Sequence, residues 1–248
     1  MHIRFILVII FGFLLSCKSV PDKSEDIIVS SEETYNKASA LLAQKKYKQA
    51  SEEFANVYYQ HPGGHITPDA QLMEAYCDYL NKKYDFSIDV LNWFIKLHPA
   101  NKDISYAYYL KSQALFMQMI DVHYDQSLTL RAIDALNDVI TKFPKTDYAQ
   151  DAKEKLEVAK DYLAAKNMEI GRYYLIARNN PIAALGRFKD VSDELNNQTP
   201  EALYRLRETF LVMGLNDEAK LYADHLVQKF PTSIWALKLS KANNVDTK

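Results

Sequence analysis

One arrangement of residues recurs along this chain. A small residue is followed four positions later by a larger one, and eight beyond that by a proline. Ala50, Phe54 and Pro62 form one copy; Ser87, Leu91 and Pro99 form the next. Ala132, Leu136 and Pro144 repeat it, as do Ala219, Ala223 and Pro231, with a second alanine in the larger residue's place. A further copy, Ala184 and Phe188, has Asn196 where the proline belongs. Residues four apart share one helix face, so the small residue admits a neighbouring helix and the larger one fills the gap beside it. The proline has no N–H and restricts the residue before it, so it ends the helix.

Apolar residues elsewhere also recur at steps of three and four, as in Ala149, Ala152, Leu156, Ala159 and Leu163. That spacing lines one side of a helix. No stretch alternates in the manner of a strand, and the chain has only 6 glycines in 248 residues. The expected class is all-α. Repetition of this pattern resembles the tetratricopeptide (TPR) unit of about 34 residues. The expected architecture is a right-handed superhelix of about five TPR helix pairs over residues 32–240. The units fall near 32–64, 67–100, 104–145, 167–197 and 200–232, with a polar tail at 241–248. The small residues lie further apart in the middle of the chain, so loops or helices lengthen there. Start signals agree. Ser30 with Glu33 has capping-box spacing, and Thr67-Pro68 and Thr199-Pro200 put Thr at an expected N-cap with Pro behind it. Gly214 falls where a left-handed turn residue is wanted.

The beginning of the chain has another character. Met1 to Arg4 is short and basic, Phe5 to Leu15 is apolar, and Leu14-Leu15-Ser16-Cys17 resembles a bacterial lipobox. The apolar run is too short to span a bilayer and reads as a secretory signal. Residues 1–16 are therefore expected to be removed, leaving Cys17 as the lipid attachment site. Residues 17–31 comprise that cysteine and a polar tether. Cys77 is then the single remaining thiol, so packing alone must hold the fold; in the run Ala75-Tyr76-Cys77 it reads as a buried small hydrophobe. A formal net charge of −2 argues against nucleic acid as a partner.

Little points to catalysis. His61 and His65 share a loop without the third or fourth ligand a metal site needs, and His61 and His98 precede repeat prolines, which suits capping. Phosphate loops, nucleophile elbows and zinc helices are absent from the sequence. No metal, cofactor or enzymatic activity is expected. Tyrosine is the unusual residue, with 17 copies and adjacent pairs at Tyr58-Tyr59, Tyr108-Tyr109 and Tyr173-Tyr174. Neighbours on a helix point different ways, so one member of each pair is expected to face a groove or partner.

Several longer stretches narrow the field. Tyr106-Ala107-Tyr108-Tyr109-Leu110-Lys111, Asp125-Gln126 and Phe143-Pro144-Lys145-Thr146-Asp147-Tyr148-Ala149 resemble the BamD family of outer-membrane protein assembly lipoproteins, in its alphaproteobacterial form. So do Glu169-Ile170-Gly171-Arg172-Tyr173-Tyr174, Arg187-Phe188, Glu201 to Arg205, and the end around Trp235. The resemblance implies a non-enzymatic subunit of the β-barrel assembly machine, held by N-terminal acyl chains on the periplasmic face of the outer membrane. Its C-terminal repeats would hold the periplasmic domains of BamA, alongside other subunits of the machine. Its N-terminal repeats would receive unfolded outer-membrane β-barrel clients. Tyr108, Tyr109, Tyr173, Tyr174 and Arg187 are the candidate partner-binding residues. Arg187 is open to two readings: an ion pair with Asp190 or Glu194 in the array, or a forked donor to a carboxylate on BamA. Two departures from the family pattern stand out. Tyr124 occupies the place of an arginine that would anchor a loop, and Asn196 suggests a looser end to its helix. The competing expectation is another periplasmic TPR lipoprotein, one that organises cell-wall or division proteins.

Overall fold

The computed structural model describes residues 30–193 and 196–245. The leader, Cys17 and the tether up to residue 29 lie outside these, as do Glu194, Leu195 and residues 246–248. Every regular element among the described residues is helical. In order they are α1 (Ser31–Ala43), α2 (Tyr47–Gln60), α3 (Thr67–Leu80), α4 (Tyr84–Leu97), α5 (Ile104–Phe116), α6 (Ser127–Lys142), α7 (Asp147–Arg172), a π-helical turn (Tyr173–Ala177), α8 (Pro181–Ser192), α9 (Thr199–Val212), α10 (Asn216–Lys229) and α11 (Ile234–Val245).

Each helix packs chiefly on the one before and the one after it, the nearest-neighbour arrangement of a repeat array. The recurring small residues sit where expected. Ala50, Ser87, Ala132, Ala184 and Ala219 are all buried, and the larger residues Phe54, Leu91, Leu136 and Phe188 are fully so. Ser87 differs by being polar; its hydroxyl donates to the Ala75 carbonyl at 2.8 Å, which satisfies a donor that would otherwise be costly inside. The prolines act as their chemistry requires. The residues before them, His61, His98, Phe143 and Phe230, cap α2, α4, α6 and α10 with φ of −127°, −126°, −130° and −132°, well outside helical values.

Turns within the helix pairs share one device. Lys45, Lys82 and Gly214 follow α1, α3 and α9 with φ of 60°, 60° and 76°. Lys46 N–H donates to Leu41, Lys83 to Asp78 and Leu215 to Phe210, each crossing the end of its helix. These are Schellman closures. Gly214 was foreseeable; the two lysines take the same left-handed geometry without glycine's freedom.

Some expectations shift. Thr67 and Thr199 are not N-caps but the first residues of their helices, one place inside Ile66 and Gln198. A tight turn, Thr67 N–H to the Gly64 carbonyl, precedes α3. It turns the Thr67 hydroxyl back to donate to the His61 carbonyl at 3.2 Å. The fourth unit, expected near 167–197, begins at Asp147, because α7 runs unbroken for 26 residues. A unit of typical length was the wrong ruler for it. Middle growth also comes from the loop between α5 and α6. After the fifth pair, α11 extends through Val245, into the segment expected as tail, and lays Ala236 and Leu239 on Leu203, Tyr204 and Leu226. Ser30 is the N-cap of α1 as its spacing predicts, accepting from Glu33 N–H at 3.1 Å.

Candidate partner-binding surfaces

The array has two unlike sides. First helices of neighbouring pairs touch, α3 with α5 and α5 with α7, whereas α2 and α4 make no comparable contact. The side on which neighbours crowd is the inner side of the curve. It carries a tract of tyrosines: Tyr76 and Tyr79 on α3, Tyr106 and Tyr109 on α5, Tyr148 on α7. Tyr109 and Tyr148 stack with ring centroids 4.8 Å apart, and Tyr106 leans on Tyr148 at 5.7 Å. The Tyr109 hydroxyl donates to Asp151 at 2.9 Å, and Lys155 closes on the same carboxylate at 2.6 Å. Burial, and for Tyr109 the Asp151 carboxylate as well, pushes both phenols far above their usual range. They stay neutral donors. Tyr76, Tyr79, Tyr106 and Tyr148 were missed by looking for adjacent pairs. The usable signal was the spacing of three in Tyr76/Tyr79 and again in Tyr106/Tyr109.

The pair Tyr108-Tyr109 splits as adjacent residues on a helix must. Tyr109 joins the inner tract, while Tyr108 packs on Phe143 at 5.3 Å and under the Lys142 ammonium at 4.5 Å. Tyr58-Tyr59 and Tyr173-Tyr174 behave otherwise: their rings touch, at 4.7 Å and 5.7 Å. In each, one ring is half-buried and its neighbour exposed, Tyr59 and Tyr173 being the outward members. Tyr174 packs against the core of α7 to α10. The π turn that presents the second pair is closed by Arg178 N–H to the Tyr173 carbonyl at 3.1 Å and Asn180 N–H to the Tyr174 carbonyl at 2.9 Å.

Arg187 lies exposed on α8. Its guanidinium donates to the Asn167 side chain at 3.2 Å, and no ion pair to Asp190 forms among the described residues. Other arginines form ion pairs within the array. Glu201 on α9 receives Arg172 from α7 at 3.0 Å and Arg205 at 3.2 Å, and Arg205 also reaches Glu208 at 2.8 Å. The Arg205 guanidinium lies 5.4 Å from the Trp235 ring centre, so the network joins α7, α9 and α11. Networks of this kind hold geometry better than isolated surface pairs, which contribute about 0–1 kcal/mol.

The two family departures acquire structures. Tyr124 points to solvent, and the loop is anchored by its neighbours. His123 pairs with Asp121 and, at 3.5 Å, with Glu169 of α7, while Lys166 donates to the His123 carbonyl at 3.2 Å. Gln126 accepts from Thr129 at 2.8 Å and donates to the carbonyls of Asp121 and Tyr124. Asn196 stands in for its proline by hydrogen bonding. It donates to the Val191 carbonyl at 3.3 Å and accepts from Gln198 N–H at 2.8 Å. The end of α8 is tied there rather than loose.

The side chains weighed for chemistry are held in packing roles. Cys77 is buried in the α1–α3 core. Burial, and then the charges of Asp78 and Glu74, push its thiol up to about 12, which removes the thiolate a nucleophile needs. His98 packs on Phe94 and bonds Gln71 at 3.0 Å. Among the described residues no group of three His, Cys, Asp or Glu side chains is placed to hold a metal ion, and no helix is long and apolar enough to cross a membrane.

Fold and surfaces together define a helical-repeat protein. A family model described as "Outer membrane lipoprotein" (YfiO) matches residues 29–226. The outer membrane protein assembly factor BamD of Rickettsia prowazekii (strain Madrid E) is 48% identical over 92% of this chain and 91% of its own length. BamD of Caulobacter vibrioides is 39% identical over 81% of this chain and 66% of its own. The chain belongs to the YfiO family of outer membrane lipoproteins. Among solved structures, the chain is similar to the MamA protein at 17% identity, covering 80% of this chain and 91% of that one with a TM-score of 0.43.

Proposed function

We propose that this chain is a non-enzymatic scaffold of the β-barrel assembly machine, serving the insertion of β-barrel proteins into the outer membrane. The observation that carries this is the likeness to a BamD over nearly the full length of both chains. A repeat array offering long tyrosine-lined and arginine-bearing surfaces suits the role. In this reading Cys17 carries acyl chains that fix the protein to the periplasmic face of the outer membrane. One chain alone binds a membrane weakly, so two or more are needed for a firm hold. The C-terminal pairs, with Tyr173, Tyr174 and Arg187, hold the periplasmic domains of BamA. The inner tract of the N-terminal pairs, reaching Tyr109 with Tyr108 beside it, receives unfolded clients.

The test is affinity purification of the tagged chain from envelopes in mild detergent, with mass spectrometry of what accompanies it. BamA and other subunits of the machine should co-purify. Recovery of cell-wall or division proteins in their place would overturn the reading. Intact mass of the same material shows whether Cys17 is acylated, and Cys17→Ala should shift the protein from the membrane to the soluble fraction.

A further inference from the structure

On the outer side of the array the second helices splay apart. Between α2 and α4, with α3 as floor, lies a cleft of about 400 Å³. Its walls are apolar and open to solvent. Tyr59 is 73% exposed, Phe86 64%, Trp93 59% and Leu97 54%. Four large apolar side chains on one cleft are more than scattered surface residues and mark a place that binds something.

The floor is of a different kind. Glu74 is 9% exposed. Its carboxylate accepts the Tyr58 hydroxyl at 2.6 Å and makes no ion pair among the described residues. Asp78, one turn further along α3, is equally buried and accepts from Ser51 at 2.8 Å. On the rim, Asp89 is exposed and likewise forms no ion pair. A carboxylate held inside without a cation is costly. Burial first, and Asp78 in addition, hold the Glu74 carboxyl up at about 7 although the Tyr58 bond pulls the other way. An anionic ligand would be repelled here, and a neutral one would bury Glu74 still deeper without a counter-charge. A cation resolves both. The chain's own Lys96 already rests 5.5 Å from the Trp93 ring centre, so an incoming cation is steered away from that ring and toward the Glu74 floor and Asp89.

We propose that the α2–α4 cleft docks an apolar segment of a partner protein that carries an arginine or lysine, its apolar side chains covering Phe86, Trp93 and Leu97 and its positive charge meeting Glu74 and Asp89. This site is separate from the inner tyrosine tract and leaves that tract free for another occupant. Charge and apolar cover act together here: the cover removes water, and a pair screened from water is stronger.

The test uses the full chain, immobilised, and a random dodecapeptide library displayed on phage, with the Trp93→Ala variant for counter-selection. Enriched peptides should set Arg or Lys beside an aromatic or aliphatic residue. Synthetic copies are then titrated against a Trp235→Phe background, in which Trp93 is the sole tryptophan and its fluorescence reports the cleft. Affinity should fall at least tenfold with Glu74→Gln, and equally when the peptide's arginine is replaced by citrulline. Glu74→Gln keeps an acceptor for Tyr58; should it nevertheless fail to fold, the exposed Asp89→Asn takes its place with an expected loss of at least threefold. Enrichment no greater than on Trp93→Ala overturns the proposal. So do enriched peptides without a basic residue, or equal affinity for the carboxamide variant.

Discussion

Gly171, near the end of α7, lies directly beneath the ring of Phe188 on α8. A Cβ on this glycine would stand 2.8 Å from Cδ1 and Cζ of that ring and nearer still to Cε1. The fourth pair is therefore closed by a small residue on each helix, Gly171 on one and Ala184 on the other. Gly186, also on α8, has nothing within 4 Å of the same position. The two glycines should separate cleanly. Gly171→Ala overpacks a buried crossing and should cost about 1–3 kcal/mol. Gly186→Ala should stabilise by up to about 1 kcal/mol, because alanine is the better helix former. Urea unfolding of both variants decides it, and equal effects would mean that the crossing yields.

Glu74 should make stability depend on pH. Its carboxyl titrates at about 7 in the fold against 4.5 ordinarily. An acid whose value is raised binds its proton more tightly when folded. Its contribution is present in full below pH 4.5 and is lost as pH rises through 7, to the extent of roughly 2–3 kcal/mol. Glu74→Gln should thus melt higher than wild type at pH 8 and alike at pH 4.5. Parallel curves for the two proteins across that range would show that Glu74 remains charged.

His123 should titrate above its ordinary 6.5, raised by Asp121 first and then by Glu169, with Lys166 opposing. The raised value means that the clasp is complete while the ring is protonated, below 6.5, and loosens as pH climbs through the folded value. Hydrogen exchange in residues 117–126 should accelerate over that interval, and in His123→Ala it should be fast throughout. The midpoint itself is read from the imidazole proton signal, and a midpoint at or below 6.5 would refute the arrangement.

Arg187→Glu should weaken binding of the BamA periplasmic domains at least tenfold in calorimetric titration. The isolated protein should melt within a few degrees of wild type, because the side chain is exposed and its one described bond is to Asn167. Reversing a charge that meets a carboxylate across an interface costs about 2–5 kcal/mol. Equal affinities would leave Arg187 as an ordinary surface residue.

Much of the frame was legible because it rests on short-range rules. A proline ends the helix that runs up to it, and a small residue four places from a large one marks a crossing, so Ala50, Ala132, Ala184 and Ala219 could be placed from spacing alone. What escaped was whatever depended on how a helix end closes in space or on a partner distant in sequence. Nothing near Lys82 announces a left-handed turn; the closure of α3 by Lys83 and Asp78 imposes it. The length of α7 was hidden because its apolar face changes partners partway along without a break in the helix. The surface residues were legible as types only. Arg187 could be seen as a free fork, but its neighbour Asn167 lies 20 positions away, and Glu74 gave no sign of being buried without a counter-ion.

The change of partners along α7 has a mechanical meaning. Ala152, Leu156 and Ala159 belong to the core shared with α6, while Ala164 and Met168 belong to the core shared with α8 and α9. One helix about 39 Å long is thus the end wall of one half of the array and the opening wall of the other. No linker intervenes at which the halves could swivel. Whatever grips the early pairs and whatever grips the late ones are set at one distance and one angle, so that the molecule serves its partners as a gauge rather than as a hinge.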